Sequence, residues 1–165
     1  MLSDYLGALA IFLAGAAIWQ QMSSAKRDRL RAFEDNYVQR YWAISDRWSL
    51  AVMLHNAHSI SDDDQLAIRA YIQLCEDEWD IRRLGWISKS SWKSWLSAIR
   101  QGFKNPVIAE VWARVEAETR GNPKNDIDES FSGLRQILAQ NSGHLDPRNE
   151  LSWYQKMGLV KTGSK

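Results

Sequence analysis

Cysteine is almost missing from this sequence: Cys75 is the only one among 165 residues. A lone thiol excludes an intramolecular disulfide framework, and it suits a reducing compartment. Proline and glycine are sparse, with three and nine copies, which favours a mostly helical chain. A charge excess is missing as well. Lys and Arg number 21 against 20 Asp and Glu, so the formal net charge is +1 and no global field draws the chain onto nucleic acid. No phosphate-binding glycine loop, nucleophile elbow or zinc ribbon is present, and no cofactor is implied.

Tryptophan, by contrast, is abundant, with nine copies. So is apolar surface near the start. The stretch "YLGALAIFLAGAAIWQQM", Tyr5 to Met22, carries no charge. As a helix it rises about 27 Å, close to the roughly 30 Å hydrocarbon core of a bilayer. Tyr5 and Trp19 bracket it as membrane-interface aromatics would, and Lys26, Arg27, Arg29 and Arg31 follow. The expectation is a transmembrane anchor over residues 1–24, a cytoplasmic helical domain over 25–157 and a flexible tail over 158–165. The chain would be a single-pass protein of a bacterial inner membrane, with its N-terminus outside and the bilayer as a partner. A cleaved signal peptide would use Ala14–Ala16, but "MLSD" has no basic region before the apolar run. A buried core helix is the other alternative. Gly7, Ala10, Ala14 and Ala17 are spaced three, four and three apart, a small-residue face for helix–helix contact.

Beyond the apolar run, charge comes in patches. Residues 25–58 hold six basic and four acidic side chains, and residues 59–87 hold three and seven. Alternating patches suit helices that pack on one another or on neighbouring copies. Ser23 to His58 contains no glycine or proline, and Phe33, Tyr37, Tyr41, Ile44 and Trp48 recur at helical spacing. The first helix is therefore expected to run unbroken for about fifty residues. Ser61 and Asp64 then form a capping box for a second helix.

The stretch "LCEDEWDIRRLGWI", residues 74–87, is the densest in charge. Its order predicts a helix end. Glu78 precedes Arg82 by four and Asp80 precedes Arg83 by three, both favourable pairings. The two arginines face the negative end of the helix dipole, and Gly85 is placed as a left-handed stop before Trp86. Ser88 or Ser90 opens a third helix. Asn105 and Pro106 open a fourth, a fifth spans about Asp126 to Asn141, and "DPRNELSWYQKM" forms a short last one. The fold class is all-α: a membrane helix continuing into a stalk, packed with four to five shorter helices.

"LCEDEWDIRRLGWIS", "SWKSWLSAIRQGF" and "NPVIAEVW" resemble a widespread bacterial group of uncharacterised small proteins. These pair an N-terminal membrane helix with a helical cytoplasmic domain, and the shared motifs cover about residues 70–115. A looser resemblance is to membrane-anchored accessory proteins of RNA-targeting CRISPR systems, which implies an oligomeric effector with a degenerate nuclease-like domain. Such nucleases use Arg-x4–6-His. Here Arg47 and His55 are separated by seven residues and Arg135 and His144 by eight, so both depart from that pattern.

Candidate effector residues are therefore Arg47, His55, His58, Glu76 and Asp80. His55 and His58 lie three apart ahead of Asp62–Asp64, a weak divalent-metal pattern that reads better as a polar helix end. Glu76 and Asp80 put two carboxylates on one helix face, without the Glu-x-x-His pattern of a bundle metal site. Tryptophans beside basic residues could stack bases, yet they fall mostly on apolar stripes. The functional expectation is a non-catalytic helical interaction module, acting as a homo-oligomer or with another membrane protein. The alternative is an RNA- or nucleotide-responsive effector of antiphage defence.

Overall fold

The computed structural model describes residues 2–56, 60–120, 130–140 and 145–150, with side chains described from Phe12 onward except at 120 and 150. Its elements are α1 (Leu2–Ser45), α2 (Leu50–Met53), α3 (Asp62–Leu84), α4 (Lys89–Gly102), α5 (Pro106–Arg120), α6 (Ser132–Ala139) and a 3-10 turn at Pro147–Glu150. The chain is all-helical, with no strand among the described residues.

The membrane expectation is corrected. Among the described residues, no helix is long and apolar enough to cross a membrane. Gln20 and Gln21 interrupt the apolar side chains of α1 after Trp19. The placement as a single-pass protein of a bacterial inner membrane is overturned with it. The side chains of Tyr5, Gly7 and Ala10 lie outside the described residues.

The fifty-residue helix is corrected too. α1 stops at Ser45, and a turn through Asp46–Ser49 leads into the single turn of α2. The break has a cause that lies downstream. The Asp64 carboxylate accepts the Ser49 N–H at 2.8 Å and its hydroxyl at 2.9 Å, while also binding the Ser61 N–H and hydroxyl. Trp48 thereby swings against Tyr71, ring centroids 5.6 Å apart, and Val52 is fully buried.

Helix ends written in local sequence form as expected. Ser61 and Asp64 make the reciprocal capping box of α3. Gly85 ends α3 at φ 82°, with its N–H on the Arg82 carbonyl and the Trp86 N–H on that of Ile81. That pair of bonds is a Schellman stop. Ser88 caps α4, and Asn105 accepts the Val107 N–H at 2.9 Å ahead of Pro106 in α5. The fifth expected helix is shorter than predicted: α6 begins only at Ser132, after Phe131 at φ 57°, and residues 121–129 lie outside the description. Of the last helix only the 3-10 turn is described.

α3 is the centre of the packing. Ile68, Ile72, Cys75 and Trp79 line up on its buried side. Trp92, Leu96 and Ile99 of α4 close one side, Val107, Ile108 and Val111 of α5 a second, and Leu134 and Ile137 of α6 a third. Gly133 lets α6 approach Trp79 directly, since a Cβ there would overlap the indole ring. The C-terminal third of α1 lies across this body through Phe33, Tyr37 and Tyr41, which meet Trp86, Trp95 and Tyr71.

Candidate functional site

Two features outside the core carry functional potential: the uncovered part of α1 and a cleft where α1 crosses α3 and α4. Residues 12–22 of α1 are exposed along their whole length. Phe12, Trp19 and Met22 are 73%, 74% and 68% exposed. At 100° per residue these three share a face with Leu30, Phe33, Tyr37 and Tyr41. One apolar stripe therefore runs along α1, packed against the body from Leu30 and Phe33 onward and, among the described residues, exposed from Phe12 to Met22. Ala14 and Ala17 of the small-residue face are exposed on the other side. Lys26, Arg27, Arg29 and Arg31 are exposed between the bare and covered parts.

The cleft is about 150 Å³. Tyr37, Tyr41 and Trp42 of α1 form one wall, Trp95 of α4 another, and Tyr71 with Glu78 of α3 the floor. Tyr37 and Trp95 lie 6.1 Å apart and Tyr41 and Trp42 5.4 Å apart, centroid to centroid. Glu78 is buried, and no hydrogen bond to its carboxyl is found among the described residues. Burial pushes its pKa up to about 8; Arg40 pulls the other way and Asp77 adds to the rise. Arg40 itself is engaged nearby. Its guanidinium donates to Asp77 at 3.0 Å and sits 4.9 Å from the Tyr37 ring centre. Gln73 donates to the other Asp77 oxygen at 3.0 Å. Burial, then Asp77, raises the Tyr37 hydroxyl.

The acid-rich stretch thus resolves into four carboxylates with four roles. Glu76 reaches across to α6, accepting the N–H of Gly133 at 3.1 Å and of Leu134 at 2.7 Å. It caps the start of α6. Asp77 holds Arg40, and Asp80 is exposed, 3.6 Å from Arg83 as expected. Glu78 faces the cleft. The expected Glu78–Arg82 pairing is replaced: Arg82 donates to Asp146, with Nε at 3.1 Å, and to the Ile87 carbonyl at 2.8 Å.

The other sequence candidates do not converge. Arg47 is exposed, and His55 is exposed at φ 61°, with no hydrogen bond or ion pair joining them among the described residues. His58 lies outside the described residues. No group of His, Cys, Asp or Glu suited to a metal is found among the described residues. Cys75 is fully buried and hydrogen-bonded with Tyr71, and burial raises its thiol well above the usual range, so it is not a nucleophile.

Sequence reasoning missed the cleft. The signal was there in Glu78, an acid on the buried stripe Tyr71–Cys75–Glu78, and in the i,i+4 aromatics Tyr37 and Tyr41. What the sequence could not supply is that Trp95 closes over them.

Compared with known proteins, the chain matches no family model, no curated protein and no solved structure.

Proposed function

We propose that the chain is a helical interaction module without catalytic activity, which assembles with copies of itself through the bare half of α1. The observation that supports this is the continuity of the apolar stripe. The face that docks Phe33, Tyr37 and Tyr41 on the body continues through Met22, Trp19 and Phe12, with no other element over it among the described residues. Exposed rings and a methionine in a row leave water in contact with surface that a second helix would cover at about 25 cal/mol per Å². A second copy brings the same stripe, and identical apolar faces are self-complementary in a helix pair. The exposed small residues Ala14 and Ala17 let another backbone approach the opposite side.

Sedimentation velocity of the full chain tests the reading. The native chain is expected to self-associate, and Phe12→Ser with Trp19→Ser to shift it to monomer with an unchanged urea melt. A monomeric native chain overturns the reading. So does flotation with lipid vesicles in place of self-association.

A further inference from the structure

We propose that the cleft between α1, α3 and α4 binds a small alkylammonium ion, with tyrosine and tryptophan rings as its walls and the Glu78 carboxylate as its counter-ion. The chemistry follows from the lining. Aromatic faces attract a cation through their quadrupoles, most strongly when the cation is desolvated, and soft methylated ammoniums lose little on leaving water. Tyr37, Tyr41, Trp42, Tyr71 and Trp95 supply five such rings around one small space. The Glu78 carboxyl accepts no hydrogen bond among the described residues, yet its oxygens are not fully enclosed, so they are open to the cleft, where a bound cation would meet them. Arg40, the nearest charge of opposite sign, is held by Asp77 and the Tyr37 ring instead.

Size narrows the ligand. At about 150 Å³ the cleft falls below the roughly 300–1,000 Å³ of sites for drug-sized molecules. A nucleotide or a large cofactor does not fit, whereas a trimethylammonium or similar head does. Such a head comes either from a free amine or from a methylated lysine of a peptide, and the chemistry of recognition is the same.

Calorimetric titration of the full chain at constant ionic strength tests this. The probes are tetramethylammonium chloride, choline chloride, a trimethyllysine peptide and 3,3-dimethylbutan-1-ol, the neutral carbon analogue of choline. Binding of the cations and not of the neutral alcohol is expected. Tighter binding of choline assigns the site to free amines, and tighter binding of the peptide assigns it to a protein side chain. Glu78→Gln is expected to weaken binding at least about tenfold, and Trp42→Leu, at an exposed ring, several-fold.

Affinity is also expected to rise from about pH 6 to about pH 9, with proton release, because the ion displaces the proton that burial keeps on Glu78. Around that carboxyl stand Arg40, Tyr37 and Tyr41 on α1 and Tyr71, Cys75 and Asp77 on α3, while the α4 wall carries no titrating group. Tyr37, Tyr71 and Cys75 are all raised and keep their protons across that range. Equal binding of the neutral alcohol, an undiminished Glu78→Gln variant, or no heat with any cation would overturn the proposal. None of these outcomes depends on the state of association, because the cleft lies away from the bare half of α1.

Discussion

A single side chain in this protein is best understood by asking which backbone or charge it answers for. Gly85 answers for a turn. Its φ of 82° is open to glycine and costly for a β-branched residue, and a Cβ there would also run into the Arg148 guanidinium. Gly85→Val is expected to lower stability by about 1–3 kcal/mol, read as a reduced urea midpoint at constant slope. Gly85→Asn, which tolerates the left-handed region, should lose less; equal loss would mean that Arg148, not φ, dominates. Arg82 and Asp146 answer for each other. Their side chains are only 7% and 10% exposed. Burial acts to raise the Asp146 carboxyl, but the Arg82 hydrogen bond prevails and holds it below its usual value. Removing one partner leaves the other charge uncompensated, so Asp146→Ala is expected to cost about 3–5 kcal/mol. The double variant Arg82→Met with Asp146→Leu should recover most of it. A single-variant loss no larger than the double's would show that the pair is not coupled.

Elements are tied together here by polar side chains that reach far along the sequence, and this decides what was legible beforehand. The capping box of Ser61 and Asp64, the Ser88 and Asn105 caps and the Gly85 stop need only residues within one turn, and all formed as read. The end of α1 at Ser45 was not legible. No glycine or proline marks it, and the group that stabilises the turn, Asp64, stands 15 residues beyond Ser49. The partners of Glu76 were not legible for the same reason, since Gly133 and Leu134 lie 57 and 58 residues away. Two backbone N–H groups at the start of α6 depend on that one carboxylate. Glu76→Ala is therefore expected to cost about 1–2 kcal/mol, and to raise amide exchange at Gly133 and Leu134 well before α4 or α5 is affected. Uniform loss of protection across all helices would instead mean that α6 does not open on its own.

For the whole molecule, two buried carboxyls with opposite shifts set the pH profile of stability. Burial acts to raise the Asp64 pKa, but four hydrogen bonds from Ser49 and Ser61 overcome it and lower the value from 3.8 to about 2. A depressed value means stability that is present above pH 3.8 and lost as pH falls toward 2. Glu78 runs the other way. Its pKa rises from 4.5 to about 8, so the folded chain holds a proton that the unfolded chain has released. That contribution is complete below pH 4.5 and is lost progressively as pH climbs through 8. Glu76 is raised by burial as well, which adds to the same limb. The thiol of Cys75 and the hydroxyl of Tyr71 extend the decline into the alkaline range. Many proteins are most stable between about pH 5 and 8; this one is expected to melt highest near pH 4 to 5, between the Asp64 and Glu78 limbs. Thermal melts of the full chain from acid to alkaline pH check this. Glu78→Gln should flatten the decline above pH 4.5 while leaving the acid limb unchanged, and Asp64→Asn should do the reverse. An alkylammonium ion in the cleft should flatten the same limb as Glu78→Gln, because it stabilises the ionised carboxylate. A native profile that is level from pH 5 to 8, unaltered by Glu78→Gln, would show that the Glu78 carboxyl is ionised in the empty cleft after all.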